Sequence, residues 1–225
     1  MTTAATSSAS LRFFHGTAAA AFAAFDPAYI AAGNVGFHFG TRAAALDRIR
    51  FLREQKTSNA QFSLLGKSEN CARYRILECA LDIRNPLRVE YIFGFSYGHL
   101  FETVEDEARR QHRADLLREI NALSDEWMAS DDDPSLRRGG SGHDAYNARL
   151  NRTFVRLFQA LGYDGLVYAN EIEAAADNPS SVALAKEDQS ISNQPINNDS
   201  YVAFAPEQIT ILSSEAVKCA ARRAA

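Results

Sequence analysis

Two short stretches near the start of the chain are the most informative: FFHGT at residues 13–17 and GFHFGT at residues 36–41. Phenylalanines at this density favour strands, and each stretch places a histidine beside a glycine. Glycine lets a ligand approach the backbone closely, and histidine can hydrogen-bond a ribose hydroxyl. His15 and His38 are therefore candidate binding residues, although local composition alone favours a structural role for both.

The rest of the chain predicts short strands at both ends with helices between them, which indicates one α+β domain over residues 11–225. Residues 1–10, rich in Ser, Thr and Ala, are expected to be disordered. The expected strands lie at residues 11–14, 37–39, 74–83, 87–90, 165–168, 201–204 and 208–212. The expected helices lie at residues 41–52, 103–128 and 144–161, and Gly162 suits the position that ends the last one.

Composition and charge exclude several classes of protein. With 46% hydrophobic and 23% charged residues, the 225-residue chain has the balance of a globular domain, unlike disordered or fibrous proteins. A net charge of −4 gives no overall attraction to nucleic acid or anionic lipid. No apolar run approaches the ~20 residues that span a bilayer, and the first residues lack the features of a cleaved secretory signal. The three cysteines have no zinc-site spacing, and we expect no metal.

Three further segments of the chain are informative together with the two histidine stretches. They are DIRNPL at residues 82–87, LGYDGLVYAN at residues 161–170 and SYVAFAPEQI at residues 200–209. In this order the segments resemble the ADP-ribosyltransferase superfamily, and most of all its bacterial and phage branch, which is related to poly(ADP-ribose) polymerases and RNA 2′-phosphotransferases. The resemblance implies an α+β fold of the split β-sandwich type, which binds NAD and carries helical insertions.

The resemblance also implies roles for the residues of the two histidine stretches. His15 matches the motif histidine that contacts the adenosine-side ribose of NAD, and the Gly16 backbone matches the group that binds the nicotinamide carboxamide. Thr17 is expected close by. His38 takes the place of the tyrosine that stacks on nicotinamide, and Phe39 beside it is assigned to the same cofactor site. A charged imidazolium at position 38 would repel the cationic pyridinium ring.

The carboxylate of the family motif has no direct match in this chain. In the polymerases and toxins a glutamate directly precedes the last Tyr-Ile or Tyr-Val pair, where this chain has Ser200 after Asp199, and we assign Ser200 to the cofactor site. Serine cannot supply the anionic oxygen that stabilises an oxocarbenium ion. The bacterial branch often carries a glutamate three residues after the asparagine that ends the preceding strand, which here is Glu173. We expect Glu173 to be the catalytic carboxylate and Glu171 to be second, with the alternative that both are solvated loop residues.

The resemblance therefore predicts an NAD-dependent ADP-ribosyltransferase. Such an enzyme cleaves the nicotinamide–ribose bond and transfers ADP-ribose to a protein or nucleic-acid acceptor. The family implies a bacterial effector or toxin, cytoplasmic in the producer or secreted into a host cell without a cleaved signal peptide, and no membrane partner. The polar segment at residues 174–199 stands where toxins of the superfamily select their acceptor.

Two alternatives remain open from the sequence. The chain could be a non-catalytic module that binds NAD or ADP-ribose and has lost the carboxylate. It could also resemble the RNA 2′-phosphotransferases in activity, which is less favoured because that reaction needs several arginines around a phosphate and the acidic chain offers no obvious basic groove.

Overall fold

The computed structural model describes residues 12–19, 21–30, 34–58, 74–90, 96–137, 140–169 and 199–217, without the side chains of residues 53–58. These residues form an α+β structure with two β-sheets and four α-helices. The strands are β1 (Phe13–Thr17), β2 (Phe37–Phe39), β3 (Arg75–Leu81), β4 (Pro86–Arg88), β5 (Gly165–Ala169), β6 (Asp199–Ala203) and β7 (Ile209–Ala216). The helices are α1 (Arg42–Ser58), α2 (Tyr97–Arg110), α3 (Ala114–Ser130) and α4 (His143–Ala160).

The two sheets are linked through β1 and β2, each of which is an edge strand of its sheet. The first sheet has the order β1-β3-β7 and is antiparallel throughout. The second has the order β2-β6-β5-β4, with β4 parallel to β5. A bridge between Phe14 and Gly40 links β1 to the end of β2, with N–H to carbonyl distances of 2.9 and 3.0 Å. We call the region formed by His15, Gly16, His38 and Gly40 the sheet junction.

Alternating side chains place apolar residues on both faces of each sheet. Phe13, Phe39, Leu77 and Ala203 are buried in a shared core between the sheets. On the outer face of the first sheet, α1 packs through Ala45 and Ile49 against Phe14 and Ile76. Helices α2, α3 and α4 cover the outer face of the second sheet, where they enclose a larger apolar core. The result is four layers, in the order helix, sheet, sheet and helices.

The histidine–glycine stretch lies within a strand, which differs from the expectation that the strand ends at Phe14. Strand β1 continues to Thr17 because β3 pairs with it along its whole length, with His15 opposite Leu77 and Gly16 opposite Ile76. The predicted strand at residues 87–90 is also displaced. Pro86–Arg88 belongs to the second sheet, so the Asn85-Pro86 turn carries the chain from one sheet to the other.

The single helix predicted over residues 103–128 is wrong, because the structure has two helices there. Helix α2 ends at a Schellman motif whose left-handed residue is His112, with φ of 56°. The Arg113 N–H donates to the Ala108 carbonyl at 2.9 Å, and the His112 N–H donates to the Arg109 carbonyl at 3.1 Å. The predicted helix over residues 144–161 is confirmed within one residue at each end, and Gly162 follows it with φ of 95°.

Candidate functional site

The sheet junction brings together the two histidines, which are 23 positions apart in the sequence. His15 on β1 has its Nδ1 2.8 Å from the backbone carbonyl of His38 on β2. A carbonyl only accepts hydrogen bonds, so the Nδ1 of His15 carries the proton. In the neutral ring, Nε2 of His15 is then the atom with a lone pair, which can accept a hydrogen bond from a hydroxyl.

Aromatic side chains form the wall behind His15. The His15 ring lies 5.2 Å from the Phe25 ring and 5.6 Å from the Phe39 ring. Phe25 also contacts Phe37 at 5.0 Å, which ties the segment after β1 to β2. Burial lowers the pKa of His15, the hydrogen bond to His38 opposes that change, and the positive charge of Arg48 adds to it.

His38 is held neutral at ordinary pH by the same kind of environment. Burial is the main cause that lowers its pKa to about 4, and the charges of His15 and Arg48 lower it further. Its Nδ1 lies 3.2 Å from the Tyr168 hydroxyl on β5, a hydrogen bond whose donor depends on the histidine tautomer. A neutral imidazole removes the charge repulsion that would oppose stacking on a cationic pyridinium ring.

Ser200 lies on the same face of the second sheet as His38. On β6, Ser200 is paired with Tyr168, and the pairing of β2 with β6 brings Gly40 alongside it. A Cβ on Gly40 would be 2.7 Å from the Ser200 Oγ, so the glycine allows the serine to approach β2 closely. Ser200 is 3% exposed and lies on the strand next to that of His38, at the position where the resemblance led us to expect a glutamate.

Asp199 points to the opposite face of that sheet and is engaged elsewhere. Its two carboxylate oxygens accept hydrogen bonds from the guanidinium of Arg88 on β4, at 3.1 and 2.6 Å. This pairing raises the pKa of Arg88, and burial followed by the Asp199 charge raises the pKa of Tyr201 on the same face. Asp199 is therefore paired with Arg88 on the face of the sheet opposite to His38. Glu171 and Glu173, the predicted carboxylates, lie outside the described residues.

Gly16 packs closely against α1, and its peptide groups point to one edge of β1. A Cβ on Gly16 would be 2.2 Å from the Ala45 carbonyl oxygen, so the close contact of α1 with β1 requires glycine here. The N–H and C=O of Phe14 point away from β3, toward Gly40. Because peptide groups alternate in direction along an antiparallel strand, those of Gly16 point to the same edge, which is the edge of the sheet junction.

The other two predicted binding residues, Thr17 and Phe39, make contacts that shape the structure around His15. Thr17 accepts a hydrogen bond from the Ala19 N–H at 3.1 Å, which shapes the turn after β1. Phe39 is 1% exposed in the core between the sheets, so any contribution to binding acts through its contact with His15.

Asp164 and Gln208, which lie in the later segments, hydrogen-bond to the backbone of the turns beside the second sheet. The Asp164 carboxylate accepts from the N–H groups of Arg84 and Asn85 at 2.7 and 2.8 Å. The Gln208 side chain accepts from the Phe204 N–H at 2.8 Å and donates to the Asp164 carbonyl at 2.7 Å. All these bonds have a backbone partner, so they shape turns.

Sequence reasoning missed three residues around the junction: Phe25, Arg48 and Tyr168. The alternation in β5 could have placed Tyr168 on one face, but its partner His38 is 130 positions away. Nothing in the local sequence marks Phe25 or Arg48, because the ring contact of Phe25 with His15 and the effect of the Arg48 charge on His38 depend on how the sheets meet.

Comparisons with protein-family models, with curated proteins and with solved structures found no match to this chain. Within the described ranges, no helix is long and apolar enough to cross a membrane. Among those same residues, no group of three or more His, Cys, Asp and Glu side chains could hold a metal ion.

Proposed function

We propose that the protein is an NAD-dependent ADP-ribosyltransferase with the split β-sandwich fold of that superfamily. The observation that carries the proposal is the meeting of His15 and His38 at the sheet junction, joined by the 2.8 Å hydrogen bond from Nδ1 to the carbonyl. The two histidine stretches resemble the first two motifs of the superfamily, and a nucleotide that contacts both motifs needs them at one site.

The groups at the junction have the chemistry that NAD needs. The Nε2 of neutral His15 can accept a hydrogen bond from a ribose hydroxyl. The peptide groups of Gly16, directed to the edge of β1, can bind the carboxamide of nicotinamide, which has one acceptor and two donors. The neutral ring of His38 can stack on the pyridinium ring without charge repulsion.

The reaction breaks the bond between C1′ of the ribose and the pyridinium nitrogen. The bonding electron pair leaves with nicotinamide, and positive charge develops on the ribose. A nucleophilic atom of the protein or nucleic-acid acceptor then bonds to C1′ and releases its proton to solvent. The enzyme lowers the barrier by fixing the geometry and by placing negative charge near the ribose. We assign that charge to Glu173, with Glu171 second.

A second function is favoured by the position of Ser200. Ser200 lies on the same face of the second sheet as His38, opposite Gly40, and has no charge, and Asp199 next to it is paired with Arg88 on the other face. With no carboxylate at this position, the junction could bind NAD or ADP-ribose without cleaving it. The second candidate is therefore a non-catalytic binding module.

Nicotinamide release separates the two functions. Purified protein is incubated with NAD, the released nicotinamide is measured by chromatography, and NAD binding is measured by calorimetry on the same preparation. At NAD concentrations below saturation, the transferase proposal predicts release that is reduced in His38→Ala and retained in His99→Ala, a control at an exposed histidine of α2. Binding without release would favour the binding module, and neither binding nor release would contradict both functions.

A further inference from the structure

Arg48 is an exposed cation on the part of α1 that lies beside the sheet junction. Ala44 lies against Gly40, with its Cβ 3.3 Å from where a Cβ on that glycine would be. The carbonyl of Ala45 lies over Gly16. Arg48 follows these two residues by four and three positions, so it projects from the same side of the helix, one turn further along.

No carboxylate is paired with Arg48 in the part of the chain that the structure describes. Its neighbours on α1 are engaged, since Arg42 pairs with Glu215 at 2.8 Å and Arg50 pairs with Asp47 at 2.7 Å. The Arg48 guanidinium instead lies over the Phe51 ring, with its central carbon 5.3 Å from the ring centroid. An arginine on an aromatic face keeps its N–H donors available in the plane of the guanidinium.

The charge of Arg48 reaches both histidines, because it contributes to the lowered pKa of His15 and of His38. Both imidazoles are neutral at pH 7, so neither can neutralise an anion there. Arg88, the exposed cation on β4, is already bound to Asp199. Arg48 thus supplies positive charge to a site whose histidines supply none.

We propose that Arg48 binds the pyrophosphate of the dinucleotide at the sheet junction; this inference rests on the proposed function. NAD carries one cationic group, the pyridinium ring, which an arginine would repel. Its ribose hydroxyls and adenine are uncharged. The pyrophosphate is the anionic part, and the planar fork of a guanidinium matches phosphate oxygens. The assignment holds equally for ADP-ribose, which carries the same group.

The test compares Arg48→Gln with Arg118→Gln, a control at an exposed arginine of α3 for which the described residues provide no ion pair. The dissociation constant for NAD is measured by calorimetry at pH 8, where the two histidines stay neutral in every variant, and at two salt concentrations. Thermal unfolding confirms that each variant is folded. Arg48→Lys is included because it keeps the charge without the fork.

Arg48→Gln is expected to raise the dissociation constant about tenfold at low salt, the usual scale for one charge-assisted hydrogen bond, and to reduce its salt dependence. Arg48→Lys should lose less affinity, and Arg118→Gln should bind as the wild type does. If the wild type binds NAD and Arg48→Gln binds it equally well, the Arg48 assignment is wrong while the proposed function stands. A wild type that binds no NAD contradicts both.

Discussion

The protonation state of His38 determines what its ring can do at the sheet junction. With a pKa of about 4, the imidazole is neutral from slightly acidic pH upward. The ring then acts as a flat polar aromatic group, and its stacking with a pyridinium ion carries no repulsion between charges. Under the proposed function, the lowered pKa of His38 is what allows a histidine to take the place of a stacking tyrosine.

Aromatic replacements of His38 should keep more NAD affinity than removal of the ring. His38→Phe and His38→Tyr retain a π face, whereas His38→Ala does not. Stacking contacts contribute about 1 kcal/mol beyond the buried area, so calorimetry should give a dissociation constant several-fold higher for the alanine variant. Three equally weak variants would mean that His38 contributes through hydrogen bonding or does not contact NAD.

The lowered pKa of His38 also predicts how stability changes with pH. The unfolded chain binds the proton at the ordinary pKa of 6.5, and the folded protein binds it only near pH 4. Between these values the unfolded state holds more protons, so the free energy of unfolding falls as pH falls, by about 3 kcal/mol across the window. Urea unfolding from pH 7.5 to 4.5 should show this loss.

His38→Phe serves as the comparison for that experiment, because it removes the titrating group and keeps the ring. The wild type should lose stability relative to His38→Phe as the pH decreases. His15 contributes a further loss of the same sign in both proteins, since its pKa is also lowered. Parallel pH profiles for the two proteins would show that His38 has no lowered pKa.

The catalytic carboxylate is tested by changing charge without changing shape. Glu173→Gln should leave NAD binding nearly unchanged and slow nicotinamide release roughly a hundred-fold, the usual scale for one electrostatic stabiliser. The same change at Glu171 should have a smaller effect. Asp199→Asn, which alters a carboxylate already paired with Arg88, is the matched comparison. A wild-type release rate in Glu173→Gln would refute the assignment, and an equally large loss in Asp199→Asn would show that the effect is not specific to Glu173.

At the level of secondary-structure elements, the contact of α1 with β1 is the most sensitive part of the fold. The Ala45 carbonyl occupies the space where a side chain on Gly16 would begin. Gly16→Ala should therefore push the helix away from the strand and lower the free energy of unfolding by about 2 kcal/mol or more. Chemical denaturation measures the change directly.

Gly98→Ala is the control for that substitution. A Cβ on Gly98 in α2 would meet only the Ser96 Oγ, at 3.8 Å, and alanine favours a helix more than glycine does. This variant should be as stable as the wild type or more stable. If Gly16→Ala matched it, α1 would not pack on β1 as closely as described.

The ends of two helices show how far the sequence could predict the elements. Both α2 and α4 end in Schellman motifs with the same backbone hydrogen bonds. The end of α4 was predictable because glycine occupies the left-handed position, Gly162. The end of α2 was not, because His112 occupies that position and a histidine indicates a positive φ far more weakly than a glycine does.

At the level of the whole molecule, the site depends on how the two sheets meet. The alternation of Leu77 and Cys79 revealed a strand, and the resemblance placed His15 and His38 at one site. The sequence did not reveal that Pro86–Arg88 pairs with β5 in the other sheet, or that Asp164 binds backbone groups 79 and 80 positions away. Such pairings depend on long-range geometry, which local patterns do not carry.

The most direct test of the account is a structure of the protein with a non-hydrolysable NAD analogue. The account predicts the nicotinamide ring stacked on His38, at ring separations of roughly 4.5–7 Å between centroids, and a ribose hydroxyl within about 3 Å of the His15 Nε2. The carboxamide should bond to the Gly16 backbone at the edge of β1. An analogue bound away from the sheet junction, or touching neither histidine, would contradict the account.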